Sequence, residues 1–460
     1  MGMSGRPCGK SQQHGKSSWT CVLAVVALLV AGSTGLAAQQ DPGVRGGPPG
    51  AGTPLKGLSP GQLNMFNVGS TVFQENASVS GKISGTRIGL GPIFNAESCS
   101  SCHMQPSVGG SSPSVNPQIA AATDQGAVNT IPSFITPNGP TREARFIYQP
   151  DLVTPDGGVH DLFTITGRTD AGLCNIAQPD FATALAENNV IFRIPTPVFG
   201  TGLIEEIEDA TIVANMQANL AQKQALGIGG TPNYTPNGGN IARFGWKAQN
   251  ASMMFFSGEA SNVELGITNE MLPVERNETV GCVFNGTPED HINFAATKPG
   301  QAMSALTSID MFLRFLDQPT PVPPTSSTIN GQNQFNAIGC VLCHSTTLKT
   351  SGSSVPSMSN VQANLFSDLL LHHMGPGLAD SIVQGNATGD EFRTAPLWGL
   401  GQRIFFLHDG RETDLLKVIQ DHFSLGNGVY PNSEANQVVN NFNALSTQNQ
   451  QDLLNFLRSL

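Results

Sequence analysis

The chain is short of charge. Of its 460 residues only 12% are Asp, Glu, Lys or Arg, roughly half the usual share of about 25%. It has no basic run and its net charge is −11, which argues against nucleic-acid binding as the main activity. Beyond the N-terminus no stretch is long and apolar enough to cross a bilayer. Eight cysteines are too few for a small disulfide scaffold, so each needs its own account. What is plentiful is glycine (51) and proline (31), so much of the fold must be loop and turn. The length fits two or three domains with ample material for a core.

The first segment reads as an export signal. Arg6, Lys10 and Lys16 supply positive charge, Val22 to Ala31 are apolar, and Gly35-Leu36-Ala37-Ala38 are small. This is the grammar of a secretory signal, with cleavage expected near Ala37 or Ala38. The apolar run falls short of a span of ~20 residues, and Cys21 lacks a lipobox. The expectation is a periplasmic, acidic protein with no stable membrane span after cleavage. Residues 39–55 are rich in glycine and proline and read as a flexible leader. Pro319 to Ser327 reads as a linker following the helical pattern Met311 to Leu316. The expected domains are therefore 56–318 and 328–460.

One internal repeat stands out. Phe94-Asn95-Ala96-Glu97-Ser98-Cys99-Ser100-Ser101-Cys102-His103 matches Phe335-Asn336-Ala337-Ile338-Gly339-Cys340-Val341-Leu342-Cys343-His344 at Phe, Asn, Ala, both cysteines and the histidine. Each expected domain holds one copy. Cys-x-x-Cys-His is the attachment signature of c-type haem. On a helical turn, positions i and i+3 face one side, so two thiols reach the two vinyl groups and the next histidine reaches the iron. A half zinc site is the competing reading of one copy; two copies in an expectedly exported chain favour two covalently bound haem c groups. Cys99 and Cys102 attach the first with His103 as iron ligand. Cys340 and Cys343 attach the second with His344.

The remaining ligands are less marked. Thr413 can cap a helix from Asp414, placing Leu415, Val418 and His422 on one face. A last helix is expected near Ser446. His422 is the favoured second ligand of the second haem, although a histidine on an apolar face is more often a core residue. Met374 is the competitor, and as a thioether it also suits a core gap. For the first haem, His160, Glu205, Glu206 and Glu264 are candidate distal acid/base groups, each weighed against an ordinary hydrogen-bonded or solvated role. Trp246 is a candidate electron relay between the haems; like Trp398 it also suits plain packing. His408 and Arg411 suit either a haem-propionate contact or a turn. The first domain has extended apolar pieces such as Val190 to Ile194 but no regular strand–helix alternation. A mainly α fold with long irregular loops follows, as two cytochrome c-like haem domains of which the first is enlarged by insertions.

Several longer motifs resemble the bacterial di-haem oxidoreductase family. They are Phe94 to His103 with Val108-Gly109-Gly110, Val159 to Arg168, Pro195 to Glu205, Arg243 to Asn250, Asn262 to Glu270 and Phe405 to Arg411. The second domain is also similar to di-haem cytochrome c peroxidases and, more distantly, to di-haem rubber oxygenases. The resemblance implies that His422 stands where the peroxidases usually carry methionine, giving a bis-histidine second haem. It implies reduction of hydrogen peroxide, or use of another small oxidant, with electrons from a small periplasmic donor such as a cytochrome. A non-catalytic electron carrier and an oxygenase acting on an organic substrate are the alternatives, because one scaffold serves several chemistries. Cys174 and Cys282 are then left over, and in an exported chain they are expected to form a disulfide.

Overall fold

The computed structural model describes residues 39–236 and 238–460; the expected signal segment, 1–38, lies outside the described residues. Helices predominate, and the strands are only two to four residues long. The mainly helical expectation therefore holds for the regular structure. No helix among the described residues is long and apolar enough to cross a membrane.

Two helix pairs organise the chain, and they are built alike. The helix Pro60–Gln74 starts with a capping box between Ser59 and Gln62, with proline in its first turn. It packs on Ala305–Phe315, which Ser304 caps. The helix Ser326–Ile338 starts with a capping box between Thr325 and Thr328 and packs on Thr447–Ser459, capped by Ser446 as expected. Each pair crosses at a glycine. A Cβ at Gly69 would lie 2.0 Å from the Ser308 carbonyl oxygen, and one at Gly331 would lie 2.0 Å from that of Asp452. One turn further on, Phe73 meets Phe312 at 5.0 Å between ring centroids and Phe335 meets Phe456 at 5.5 Å. Each Cys-x-x-Cys-His turn follows the first helix of its pair, so the sequence repeat is part of a larger structural one.

The strands have one task that concerns function. Glu143–Phe146 is the centre of a three-stranded antiparallel sheet, flanked by Val159–His160 and Val190–Arg193. Glu143 pairs in register with Arg193, and Arg145 stands two residues on, on the same face as Glu143. Elsewhere the chain runs in turns, and Cys174 is bonded to Cys282 as expected.

Residues 39–55, expected to be a flexible leader, are laid along the body. Asp41 accepts from Arg458 and from the Leu415 amide at one end of the segment, while the Thr320 amide on the Gly50 carbonyl and the Leu55 amide on the Phe315 carbonyl tie the other. Specific polar contacts replace the apolar side chains the segment lacks. The expected linker does not divide the contacts either: residues 39–460 form one compact unit. The Arg193–Asp380 and Lys247–Asp380 ion pairs and the Ile194 amide on the His408 carbonyl stitch the halves together. One further correction is local. Asp414, not Thr413, caps the helix Leu415–Asp421, accepting from the Leu416 and Lys417 amides, and His422 stands at its C-terminal cap.

Candidate functional site

Both Cys-x-x-Cys-His turns open into cavities. Cys99, Cys102 and His103 line one of about 170 Å³. Cys340, Cys343 and His344 line another of about 230 Å³. The two turns share a backbone device: the histidine amide donates to the first cysteine's carbonyl, at 3.1 Å for His103 and 2.9 Å for His344. This winds the chain tightly enough to present two thiols and an imidazole to one space.

The imidazoles are oriented for ligation. His103 Nδ1 lies 3.0 Å from the Gly110 carbonyl oxygen, and His344 Nδ1 lies 3.0 Å from that of Phe366. His422 enters the second cavity with Nδ1 2.7 Å from the Val418 carbonyl. A carbonyl only accepts, so in each ring Nδ1 carries the hydrogen and Nε2 keeps its lone pair for a metal. Burial lowers the pKa of all three, that of His344 to about 4, which keeps the imidazoles neutral and able to ligate near pH 7. These donor sets fit the expected haems: thiols for attachment, imidazole for the iron, and apolar walls such as Phe335, Phe406, Leu453 and Leu457 around the second ring.

The second cavity holds both candidate second ligands. His422 and Met374 line it together. His408 lines it as well, its ring stacked on Phe392 at 4.5 Å and edge-on to Trp246 at 6.4 Å. Arg411 is drawn outward by Asp409 and the Gly377 carbonyl, so it does not share a cavity with His408. His372 was not singled out by the sequence. It is buried between Asp368 (3.0 Å) and Glu434 (2.6 Å), with Cys343 Sγ at 3.8 Å. Burial opposes its charge, but Cys343 and Asp368 outweigh that and raise its pKa well above the usual range.

The first cavity is finished differently. Among the residues that line it, His103 is the one histidine. Of the four distal candidates, Glu264 alone lines it. Nine residues of the helix Met253–Leu265 line this space, Glu259 and Glu264 among them. The other three are occupied elsewhere. His160 bonds Asp156 at 3.1 Å and stacks on Phe146. Glu205 and Glu206 both grip Arg314, and Glu205 also accepts from the Met253 amide.

Sequence reasoning missed the partner of Glu264. Glu143 shares a hydrogen bond with it, and Arg145 and Arg193 stand beside Glu143 on the same cavity wall. Burial, then the neighbouring Glu143 charge, pushes Glu264 well above the carboxylate range. Burial would raise Glu143 too, but the Arg145 charge, the bond from Glu264 and the Arg193 charge hold it below its ordinary value. The pair therefore keeps one proton, on Glu264. The signal available in the sequence was weak, because Glu143 and Arg145 alternate along a strand of only four residues.

Trp246 belongs to both spaces. It lines the two cavities, fixed by its indole N–H donating to the Ile194 carbonyl at 2.9 Å. Trp398 is buried beside a cleft of about 30 Å³ that Trp246 also lines.

The sequence model of a family described as "Di-haem oxidoreductase, putative peroxidase" matches residues 146–460. No curated protein matches the chain. Among solved structures, the hydrazine synthase of Kuenenia stuttgartiensis, studied under xenon pressure, is similar at 14% identity, with a TM-score of 0.34 over 99% of this chain and 100% of that one. A MauG-like protein associated with microbial copper homeostasis is similar at 14% identity, with a TM-score of 0.30 over 57% of this chain and 89% of that one.

Proposed function

From the premise that the chain belongs to the di-haem oxidoreductase family, we propose that it is an exported peroxidase. It reduces hydrogen peroxide to water with two electrons from a small periplasmic donor such as a cytochrome, and two protons. The carrying observation is the inequality of the two cavities. One brings His344 and His422 together; the other pairs His103 with a proton-holding carboxyl pair.

In this reading Cys99 and Cys102 bind one haem and Cys340 and Cys343 the other, as thioethers. When bound beside His103, the first haem would supply the redox chemistry that reduces peroxide. Each half, with its glycine-crossed helix pair and its Cys-x-x-Cys-His turn, is read as a cytochrome c-like module. His103, His344 and His422 would offer Nε2 to the irons, and His422 is preferred to Met374 because its ring is already tethered through Nδ1. The second cavity is then closed to exogenous ligands and suited to relaying electrons. Trp246 forms part of the wall between the two and is the relay candidate.

At the first cavity Glu264 holds a proton at its carboxyl and donates it as the oxygen–oxygen bond breaks. Glu143, kept ionised by Arg145 and Arg193, accepts the Glu264 hydrogen bond and so holds that proton on Glu264, and both protons consumed per peroxide are replaced from solvent. The apolar lining by Phe73, Val198, Leu265 and Leu313 limits water there.

Electron paramagnetic resonance of the oxidised and half-reduced protein, alongside peroxide turnover, tests the assignment. A low-spin ferric signal of two-imidazole type in the oxidised protein, and a high-spin ferric signal remaining in the half-reduced, turnover-competent form, is the expected result. Two low-spin irons in every redox state without turnover would instead mark a non-catalytic electron carrier.

A further inference from the structure

Six arginines are almost wholly buried: Arg168, Arg193, Arg243, Arg393, Arg403 and Arg458. Four have carboxylate partners. Arg168 pairs with Glu97 and Asp170, Arg193 with Asp380, Arg243 with Asp209, and Arg458 with Asp41. Arg393 and Arg403 are different. Arg393 donates from Nε to the Gly245 carbonyl (3.0 Å) and from Nη1 to the Thr394 carbonyl (3.2 Å). Arg403 donates from Nε to the Phe405 carbonyl (3.0 Å), and its Nη2 is buried with no partner. Among the described residues neither forms a salt bridge.

An unpaired charge taken out of water costs several kcal/mol. Burial lowers the pKa of both guanidiniums to about 10, offset for Arg393 only in part by Asp368, so both remain charged at neutral pH. Apart from Asp368, which offsets Arg393 only in part, the described residues provide no anion for these two cations. Both line the second cavity. Both also stand at the wall that carries Trp246: the Arg393 amide donates to the Trp246 carbonyl at 2.9 Å, and the Arg403 guanidinium lies 6.0 Å from the indole centroid.

We propose that Arg393 and Arg403 form a carboxylate clamp that holds the propionates of the group attached at Cys340 and Cys343. The clamp rests on the two-haem reading. It replaces Arg411, which faces away, as the cationic partner of those propionates. Since the two cations sit beside Trp246, the clamp turns the carboxylate edge of the second haem toward the wall shared with the first cavity. It also places positive charge where it opposes oxidation of the second iron.

The test uses the full haem-loaded protein. Haem content is read first. Wild type without two covalent haems overturns the two-haem reading and the clamp with it, whereas wild type with two isolates the clamp. Arg403→Gln and Arg393→Gln are then compared with Arg411→Gln by spectropotentiometry. The expected result is a lowered midpoint potential of the low-spin haem in the first two variants and an unchanged one in the third. An unchanged potential in both cavity variants overturns the clamp. So does a wild-type potential that follows added acetate at constant ionic strength, since that would mark a site open to free anions. Should the glutamine variants not accumulate, Arg403→Lys decides by resonance Raman. A shifted propionate-bending band is expected, and an unshifted band overturns the proposal.

Discussion

The cavity at His103 and the cavity at His344 begin from the same parts. Each follows a capped helix whose glycine lets a second helix approach to backbone contact, and each receives two thiols and a carbonyl-tethered imidazole from one turn. They diverge in what faces that turn. The second cavity meets a helix end bearing His422, a hairpin bearing Met374, and two unpaired arginines. The first meets a sheet face bearing Glu143, Arg145 and Arg193 and a helix bearing Glu264. In the proposed reading the repeated motif sets where a haem would be held, while the sheet and helix facing the first turn determine which side chains surround it. Breaking the two halves separately should therefore break different functions.

The largest expected effect comes from the attachment cysteines. Cys99→Ala with Cys102→Ala should halve the haem content and abolish peroxide turnover while leaving the low-spin signal. Cys340→Ala with Cys343→Ala should halve the content and abolish the low-spin signal instead. Haem quantification and paramagnetic resonance on both proteins check this; the same spectral loss in both would mean that the cavities are not specialised.

Next in size is the acid pair. Glu264→Gln removes the proton donor and should lower turnover by about 10²–10⁴-fold, with haem content and the low-spin spectrum intact. The pH profile carries a sign. In the proposed mechanism Glu264 acts in its protonated form and its pKa is raised, so turnover should fall as pH rises through that raised value. Glu143→Gln removes a negative charge that helps to raise it, so the alkaline limb should move to lower pH. An alkaline limb that stays in place would detach Glu264 from the proton step. At the other cavity, His422→Ala should convert the second iron from low to high spin and leave the first unchanged; persistence of low spin would transfer the ligand role to Met374.

The sequence made some of this legible and hid the rest for physical reasons. The spacing of Cys99, Cys102 and His103 and of their counterparts is local, and the structure puts each set on the wall of one cavity. His422, where a helical stripe ends, lines the second of these cavities. The disulfide between Cys174 and Cys282 followed once the other cysteines had roles. Glu143 and the Arg393–Arg403 pair could not be reached in that way. Glu143 meets Arg193 and Glu264 from distant parts of the chain, and the meaning of the arginines comes from burial without a salt bridge. The leader misled because glycine and proline forecast a lack of side-chain packing, whereas Asp41 anchors that segment through Arg458 and the helix at Leu415.

The smallest effect tests the shared part of the comparison. Gly69→Ala and Gly331→Ala each gain up to about 1 kcal/mol of helix propensity. Each also places a methyl where 2.0 Å separates it from a carbonyl oxygen of the partner helix. Overpacking of that kind costs roughly 1–3 kcal/mol, so the clash should win and both variants should unfold at lower denaturant concentration. The crossings present the same obstacle, a backbone carbonyl followed by a phenylalanine side chain, Phe312 or Phe456. The two losses should therefore agree in sign and nearly in size. Equilibrium unfolding of the haem-loaded variants measures them, and a neutral or stabilising result at one glycine alone would show that only one half is built around a tight crossing.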